Sequence, residues 1–477
     1  MEETVANKRC HVVAMPYPGR GHINPMLNLC KLILSKSNDI FITFVVTEEW
    51  LGFLSSEFQQ QPLANFRFAA LPQVIPSEAG RGADVLGFIE AVLTKLQDPF
   101  EQLLDRLELT PTAIIYDVIM SWVIRVGNQR NVPVASLVTV SASFFTVLSH
   151  LDLLVQHGHI PDADISERGN EVVDYIPGLP SVTLADLPAS FQGDAGRKVK
   201  QQMLEKDFPM NNAQYLLSTS IYEFEEQAIN SLKVRYPSIS LYHIGPMIPY
   251  SSLGNKTDET SSYEDERLDY FRWLDSQPRG SVLYISQGSF LSISSGQSQE
   301  IIAGIKESGV RFLWVIRGDN DTSSFKDDIS DQMGFLVPWC DQLRVLCHPS
   351  IGGFWTHCGW NSTSEGIYAG VPMLTCPIAW DQLLNSKMIV NDMEIGWSVI
   401  KNDHLQKGGL VTRHEIAKLV REFMDPENDK RKEMINRAKE LQNTFTNAIV
   451  NGGSATSDLE AFINSLPSKS RTLKAFS

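Results

Sequence analysis

The segment from 339 to 382 reads WCDQLRVLCHPSIGGFWTHCGWNSTSEGIYAGVPMLTCPIAWDQ, and it decides how the fold and the site are interpreted. The aromatic ring of Trp339 and the carboxylate of Glu365 flank a cluster of small hydrogen-bond donors, and the segment closes with Asp381 and Gln382. Aromatic rings offer flat apolar faces, carboxylates accept hydrogen bonds from hydroxyl groups, and donors at a helix start bind anions. The segment therefore predicts a site for a ligand with a flat ring, hydroxyl groups and negative charge.

Length and charge narrow the possible classes of protein. The chain has 477 residues, which exceeds what one hydrophobic core usually organises and favours two domains. Hydrophobic residues make up 43% and charged residues 20%, as in ordinary globular proteins. Lys and Arg number 41 against 56 Asp and Glu, a net charge of −15 that repels phosphate backbones and anionic lipid surfaces. Nucleic-acid and membrane-surface functions are therefore disfavoured.

Cysteine use and hydropathy predict a cytoplasmic protein without a membrane span. The six cysteines form no disulfide framework for a chain of this length, and the opening MEETVANKRC is too polar for a secretory signal. The apolar stretch from 144 to 155 is interrupted by His150 and Asp152, whereas a spanning helix needs about twenty apolar residues. The cysteines are Cys10, Cys30, Cys340, Cys347, Cys358 and Cys376.

Strand and helix patterns alternate in the first half of the chain. His11 to Met15 reads as a strand, and it is followed by a loop and by a helix for which Asn24 and Pro25 suit the N-cap and first-turn positions. Phe41 to Thr47 and Ala113 to Tyr116 read as further buried strands. Such alternation predicts an α/β fold with parallel sheets and right-handed crossovers.

The same organisation restarts after an acidic stretch from 250 to 266. Ser281 to Ser286 and Arg311 to Ile316 read as strands, and Ser294 to Ser308 reads as a helix with Gly309 at its C-terminal cap. The segment from 318 to 331 reads as a surface loop. We predict an N-terminal domain over 1–247, a linker over 248–266, a C-terminal domain over 267–455, and a terminal helix and tail over 456–477.

The decisive segment resembles the signature box of plant secondary product UDP-glycosyltransferases. The resemblance rests on HCGWNS at 357–362, on Glu365 and on the closing Asp381-Gln382, which stand where the family's box has them. WLDSQPRGSVLYISQGS at 273–289 and HVVAMPYPGRGHINPM at 11–26 resemble two further family elements. The resemblance implies the GT-B fold, in which two Rossmann-like domains face each other across a cleft. The donor then binds mainly to the C-terminal domain and the acceptor to the N-terminal one.

The resemblance also implies the roles of the donor-site residues. Trp339 would stack on uracil, Gln342 and Glu365 would bind ribose, and a helix from Ser362 to Ala369 would direct N–H groups at the diphosphate. Each residue alone has an ordinary structural explanation, but their combined order favours a UDP-glucose site. The donor-binding residues are predicted to be Ser289, Trp339, Cys340, Gln342, His357, Gly359, Trp360, Asn361, Ser362, Glu365, Trp380, Asp381 and Gln382.

Two residues of the N-terminal half are predicted to be catalytic. His22 follows the first strand and Asp117 ends the strand that starts at Ala113, and ligands bind at the carboxyl ends of parallel strands. A neutral imidazole can take the proton of an acceptor hydroxyl, while the carboxylate orients the ring. Attack opposite the leaving group would invert the anomeric centre. No metal or other cofactor is expected, because the helix start and His357 would stabilise the leaving UDP.

The acceptor site is predicted less specifically, from apolar side chains near the same sheet edge. Met120, Trp122, Phe144 and Phe145 suggest a small lipophilic acceptor such as a flavonoid, phenolic, terpenoid or hormone, modified at a hydroxyl or carboxyl group. Arg20, beside the predicted base, raises the hypothesis that it lowers the proton affinity of the imidazole or favours acidic acceptors. Gln287 and Trp355 depart from the family pattern without an assigned role. We expect a monomer.

Three alternatives were weighed against a transferase. A zinc site is disfavoured because no Cys-x-x-Cys pair is present. A dinucleotide fingerprint at Gly19-x-Gly21 lacks its third glycine, since Asn24 stands there. A catalytically inactive binder of sugar nucleotides or metabolites remains open, although such a protein could lose His22 or Asp117 and this chain keeps both.

Overall fold

The computed structural model describes residues 10–58, 63–82, 84–200, 212–250, 264–288, 294–316, 333–400 and 410–467. Within these residues, two parallel sheets are each covered by helices on both faces, as the alternating pattern predicts. The prediction of an α/β fold with two parallel-sheet domains is therefore confirmed. The linker predicted over 248–266 falls partly outside the described residues, as does the end of the tail, and the surface loop predicted over 318–331 lies wholly outside them. The domain boundaries stay a prediction.

The N-terminal sheet has the order β3-β2-β1-β4-β5-β8-β9, and all of its pairings are parallel. A small antiparallel pair, β6 and β7, lies apart from it. The strands are β1 (Cys10–Met15), β2 (Ile40–Thr47), β3 (Phe66–Leu71), β4 (Ala113–Asp117), β5 (Val134–Val138), β6 (Val172–Val173), β7 (Val182–Thr183), β8 (Tyr215–Ser218) and β9 (Ser240–His243).

The helices of this half are α1 (Arg20–Lys36), α2 (Glu48–Phe58), α3 (Val85–Lys95), α4 (Gln97–Arg106), α5 (Trp122–Gln129), α6 (Ala142–Ser149), α7 (Leu151–Gln156), α8 (Ile165–Arg168), α9 (Gly193–Lys200) and α10 (Glu226–Arg235). Strand residues alternate between two cores, since Val12 and Ala14 pack on one face of the sheet while Val13 and Met15 pack on the other. This alternation follows from the period of two in a strand. Burial on both faces explains why β1 and β2 read as continuous apolar runs.

The C-terminal sheet has the order β12-β11-β10-β13-β14-β15 and is likewise parallel. Its strands are β10 (Val282–Ser286), β11 (Arg311–Val315), β12 (Gly334–Val337), β13 (Ile351–Thr356), β14 (Met373–Thr375) and β15 (Gly396–Ser398). Its helices are α11 (Glu264–Asp275), α12 (Ser295–Ser308), α13 (Gln342–Leu346), α14 (Trp360–Ala369), α15 (Gln382–Lys387), α16 (Arg413–Met424) and α17 (Asp429–Ile449). Gly309 caps α12 in the left-handed conformation, as predicted.

The last helix, α18 (Ser454–Ser465), packs against the N-terminal sheet although it follows the C-terminal one in the chain. Leu459 and Phe462 join the core formed by β1 and β2, and Asp458 Oδ2 accepts a 2.7 Å hydrogen bond from the backbone N–H of His243. The helix therefore connects the two halves of the molecule. Among the described residues, no helix is long and apolar enough to cross a membrane.

Candidate active site

His22 and Asp117 meet at the carboxyl edge of the N-terminal sheet. The Nδ1 atom of His22 lies 2.7 Å from Asp117 Oδ2, and the carboxylate is fully buried while the imidazole keeps 23% of its surface exposed. A carboxylate only accepts hydrogen bonds, so Nδ1 carries the hydrogen and Nε2 keeps its lone pair. The Oδ1 atom of Asp117 accepts from the backbone N–H of Ile119 at 3.1 Å, which fixes the carboxylate.

His22 lies in the first turn of α1, and not in a loop as the sequence suggested. The helix begins at Arg20 after Gly19, so the prediction that Asn24 caps it and Pro25 opens it is wrong. The backbone N–H of Ile23 already donates to Gly19 O at 2.9 Å. Proline has no backbone N–H, so Pro25 cannot make the helical hydrogen bond to the carbonyl of Gly21. The helix tolerates Pro25 because that carbonyl has another partner.

That partner is Asn361, from the other half of the molecule. Its Nδ2 donates to Gly21 O at 2.9 Å, across a sequence separation of 340 residues. Asn361 belongs to the first turn of α14, and Gly21 is the residue before His22. Because Pro25 has no N–H, the Gly21 carbonyl is available to Asn361. Their hydrogen bond connects the helix turn that carries His22, the predicted base, to the first turn of α14, where the anion site is predicted. Asn361, predicted to contact the ligand, bonds to protein in this structure.

Thr139 is a neighbour of the pair that the sequence interpretation missed. Its Oγ1 lies 2.9 Å from His22 Nδ1 and 3.5 Å from Asp117 Oδ2, directly after β5. The hydroxyl hydrogen can donate to the carboxylate while the lone pair faces the ring N–H. A polar residue at the end of the strand beside β4 was the available signal, because adjacent parallel strands end at the same edge.

The predicted ribose residues form a hydrogen-bonded cluster on the C-terminal domain. Gln342 Nε2 donates to Ser362 Oγ at 2.9 Å and to the Glu365 carboxylate, and its Oε1 accepts from Tyr284 OH at 3.0 Å. Tyr284, on β10, is a second residue missed from the sequence, where it reads only as an apolar strand position. The structure therefore brings together four residues from three separate elements, β10, α13 and α14.

Burial changes the acidity of this cluster. The pKa of Glu365 is raised to about 7 by burial, with the Gln342 hydrogen bond opposing the shift and the charge of Asp341 adding to it. Trp339 lies at the outer end and has half of its surface exposed, which leaves ring surface for stacking. Cys340 is buried, and its Sγ lies 3.3 Å from Tyr284 OH.

The anion site is predicted at the start of α14. The helix begins at Trp360 with Gly359 as its N-cap, two residues earlier than predicted, so the N–H groups of its first turn face out of the helix end. A Cβ on Gly288 or on Gly359 would come within 2.5 Å of the His357 Nε2 atom. Both glycines therefore make room for the His357 imidazole. Ser289, predicted to bind the donor, lies outside the described residues.

The closing pair of the box stands at the start of α15. Asp381 Oδ2 accepts from Asn385 Nδ2 at 2.8 Å, and Gln382 Oε1 accepts from the backbone N–H groups of Ile378 and Ala379 at 2.8 and 3.1 Å. Burial raises the pKa of Asp381 to about 6, while the Asn385 hydrogen bond and the charge on His22 oppose the shift. Trp380 has a left-handed backbone with φ of 58°. His22, from the N-terminal domain, is thus near enough to Asp381 to influence its pKa.

The four predicted acceptor residues lie in hydrophobic cores. Met120, Trp122 and Phe145 belong to the core beneath the N-terminal sheet, and Phe144 belongs to a separate core that also contains Leu384 of α15. Trp122 begins α5, Phe144 and Phe145 lie in the first turn of α6, and Met120 lies in the turn between β4 and α5. The structure thus buries all four residues in cores near the carboxyl edge of the sheet, and their role in acceptor binding stays a prediction.

The structure also shows the surroundings of Arg20, Trp355 and Gln287, the three residues that depart from the family pattern. The Arg20 guanidinium lies 5.7 Å from the centre of the Trp50 ring, a cation–π distance. Trp355 is a core residue of β13, and Gln287 has a buried amide nitrogen directly before Gly288. Among the described residues, no group of three His, Cys, Asp or Glu side chains could hold a metal ion.

Two facing parallel-sheet domains, with a His-Asp pair on one and a polar box on the other, define the class as a GT-B glycosyltransferase. Residues 261–435 match the family described as UDP-glucoronosyl and UDP-glucosyl transferase. The chain is 46% identical to UDP-glycosyltransferase 87A2 of Arabidopsis thaliana, with 97% of this chain and 98% of that protein covered. The chain belongs to the UDP-glycosyltransferase family and, as a member, transfers sugar from a UDP-sugar to small metabolites.

Two further similarities extend over nearly the whole chain. It is 32% identical to 7-deoxyloganetin glucosyltransferase of Catharanthus roseus, with 97% of this chain and 98% of that protein covered. The solved structure of Phytolacca americana UGT2, complexed with UDP-2fluoro-glucose and pterostilbene, superposes with a TM-score of 0.77 at 26% identity. That match covers 96% of this chain and 99% of the other. The expected family and the GT-B fold are confirmed.

Proposed function

We propose that this protein is an inverting glucosyltransferase that moves glucose from UDP-glucose to a hydroxyl or carboxyl group of a small lipophilic molecule. The observation that carries the proposal is the 2.7 Å contact between His22 Nδ1 and the buried Asp117 carboxylate. It leaves the second ring nitrogen available as a base beside Asp381 of the opposite domain. A binder without catalysis would have no need of this arrangement, which is why we favour the enzyme.

The proposed reaction is one displacement at the anomeric carbon. His22 Nε2 takes the proton of the acceptor oxygen as that oxygen bonds to the carbon, and the bond from carbon to the UDP oxygen breaks on the opposite face. The configuration inverts, and an α-linked donor gives a β-glycoside. Asp117 stabilises the imidazolium that forms. General base catalysis of this kind contributes about 10²- to 10⁴-fold.

The leaving UDP gains negative charge, and the first turn of α14 lies where N–H groups can stabilise it. His357, held between Gly288 and Gly359, supplies a further donor at the same point. Helix starts bind phosphate groups through these unpaired N–H groups and the helix dipole. We therefore propose that the reaction needs no metal ion, because protein donors meet the developing charge.

Glucose is proposed as the sugar on the strength of the relatives and of the Asp381-Gln382 pair. The similar Catharanthus roseus protein is a glucosyltransferase, and the similar Phytolacca americana structure holds a fluorinated UDP-glucose. The same structure holds pterostilbene, which supports an aromatic or comparably lipophilic acceptor for this chain. None of the six cysteines forms a disulfide in the described part of the chain, as we expect for the reducing, cytoplasmic location that we propose. We further propose a monomer.

Substitution of His22 by Ala tests the function directly. Wild-type protein with UDP-glucose and a panel of phenolic and terpenoid acceptors should release UDP and form glucosides that mass spectrometry detects. His22→Ala should lose at least about 10²-fold in turnover, because no base replaces the imidazole. Its affinity for UDP should persist, since the donor residues are unchanged. Normal turnover by the variant would show that His22 is not the base.

A further inference from the structure

Asn385 is a fully buried polar residue that the reaction described above does not use. It lies on α15 and has 0% of its surface exposed. Its backbone N–H donates to Asp381 O at 2.9 Å, so the two side chains stand on the same face of the helix. Burial of an amide is costly unless its hydrogen-bonding groups are paired. The partners of this amide therefore indicate why the residue stands there.

The side chain makes three hydrogen bonds to three different parts of the molecule. Its Nδ2 donates to Asp381 Oδ2 at 2.8 Å and to the backbone carbonyl of Cys358 at 2.9 Å. Its Oδ1 accepts from Ser141 Oγ at 3.0 Å. Both amide hydrogens are used, and both face atoms that only accept, so the orientation of the amide is fixed by its chemistry.

The first two partners adjoin strained turns of the donor box. Cys358 has a left-handed backbone with φ of 65°, and it precedes Gly359, the N-cap of α14. Trp380, directly before Asp381, has φ of 58°. Left-handed backbone is unfavourable for residues other than glycine and persists where its surroundings hold it. Asn385 joins these two turns and fixes the rotation of the Asp381 carboxylate.

The third partner belongs to the N-terminal domain and is itself held in place. Ser141 caps α6, and its Oγ accepts from the backbone N–H of Phe144 at 3.2 Å. Buried Glu225 accepts from the N–H groups of Ala142 and Ser143 at 3.0 and 2.8 Å. Because this helix start is rigid, the Ser141 hydroxyl offers Asn385 Oδ1 a fixed donor only when the two domains are closed on each other.

We propose that Asn385 is a positioning residue that aims the Asp381 carboxylate at the hexose and, through Ser141, makes that aim depend on domain closure. The inference rests on the proposed function, since it takes Asp381 to bind the sugar hydroxyl groups. A carboxylate that can rotate would accept from epimeric hydroxyl groups as well. Asn385 therefore contributes to the choice of sugar without touching it.

Asn385→Asp provides the main test, because it keeps the size of the side chain and replaces the donor by an acceptor. The new carboxylate at position 385 would face the Asp381 carboxylate and the Cys358 carbonyl. The repulsion between the two carboxylates is relieved when they share a proton. The ratio of kcat/KM for UDP-glucose between variant and wild type should rise at least about tenfold from about pH 8 to about pH 6. His22 and the Cys358 thiol also lie near Asp381, and wild type measured at each pH is the control for them.

Two alanine variants and a control on the same helix complete the experiment. Asn385→Ala should raise KM for UDP-glucose about tenfold or more and reduce the preference for UDP-glucose over its C4 epimer UDP-galactose. Ser141→Ala should give a smaller change in the same direction, with the Kd for UDP unchanged in both. Ser386→Ala removes a buried 2.8 Å hydrogen bond to Thr375 and should lower Tm while keeping the wild-type sugar preference.

The outcomes separate this inference from the proposed function. A wild-type protein that transfers no glucose would contradict the function itself. If the wild type is active and Asp381→Ala loses glucose transfer, but Asn385→Asp follows the wild-type pH profile, only the positioning role is wrong. A loss of Tm in Asn385→Ala with sugar preference unchanged, as in Ser386→Ala, would likewise assign Asn385 to structure alone.

Discussion

At the scale of a residue, we expect the protonation of the Glu365 carboxyl group to be linked to the binding of the donor. In the ligand-free protein its pKa is raised to about 7 by burial, so a substantial fraction of the carboxyl carries a proton near neutral pH. Ribose hydroxyl groups donate to the ionised form, so binding should lower the pKa and release a proton. The folded state binds this proton more tightly than the unfolded chain, and the contribution of Glu365 to stability therefore decreases as pH rises from about 4.5 to about 7.

We expect the affinity for UDP-glucose to rise with pH through about 7 and then to level off, with a change of up to about tenfold per pH unit below that point. Glu365→Gln should remove this dependence and should bind more weakly at about pH 8, because an amide replaces the charged acceptor. Calorimetric titration with UDP-glucose over the pH range measures both effects. Because the variant is measured at every pH, it controls for the other ionisable groups near the donor, and a flat ratio of wild type to variant would contradict the linkage.

The sequence indicated the ionisable residues that meet at the site, but it did not indicate the uncharged residues that hydrogen-bond to them. His22 and Asp117 stand at recognisable strand ends, and the structure joins them. Thr139 and Asn385 were missed because a threonine after an apolar strand and an asparagine in a short helix have many ordinary explanations. Their function comes from contacts between distant parts of the chain, which a sequence without coordinates does not specify.

Gly288 shows how the turn after one strand shapes the site at the level of an element. It follows β10 with φ of 79°, in the left-handed region, and a Cβ added there would meet the His357 ring at 2.5 Å. Gly309, at the end of α12, has φ of 68° with nothing within 4 Å of an added Cβ. The two glycines share a backbone conformation and differ in their surroundings, so they form a matched pair.

Gly288→Ala should weaken UDP-glucose binding by at least about tenfold, because the methyl group displaces either the strand end or the imidazole. Gly309→Ala should cost about 1–2 kcal/mol of stability from its left-handed backbone and leave the affinity for UDP-glucose unchanged. Binding calorimetry and thermal unfolding of both variants separate the two effects. Equal affinities in both variants would show that the contact between Gly288 and His357 is unimportant for donor binding.

Element types were predictable where the apolar period was regular, and element starts were not. The strands β1, β2 and β10 and the helix α12 lie within one or two residues of their expected positions. The start of α1 was misplaced because proline commonly opens helices, and local rules place it there. The structure keeps Pro25 inside the helix because Asn361 of the other domain bonds the freed Gly21 carbonyl. A contact across the domains thus overrides the local preference.

At the scale of the whole molecule, α18 connects the two halves through apolar contacts. Ala455 at its start packs in the core of the C-terminal sheet, and Leu459 and Phe462 pack in a core of the N-terminal sheet. Phe462 is fully buried between Tyr215 and Tyr242, with ring centres 5.6 and 5.7 Å away. The sequence predicted a terminal helix and tail over 456–477, and the structure shows that this helix packs on the N-terminal sheet.

Phe462→Ala should cost about 3–5 kcal/mol, because it leaves a cavity in the N-terminal core. Since the lost contacts belong to the helix that joins the halves, we expect calorimetry to show the N-terminal half unfolding first, in a transition that separates from the second. Glu460→Ala is the control on the same helix. It removes an exposed ion pair to Lys36 at 2.8 Å and should change stability by no more than about 1 kcal/mol. A single cooperative transition in Phe462→Ala, with the Tm of the control, would mean that α18 does not couple the two domains.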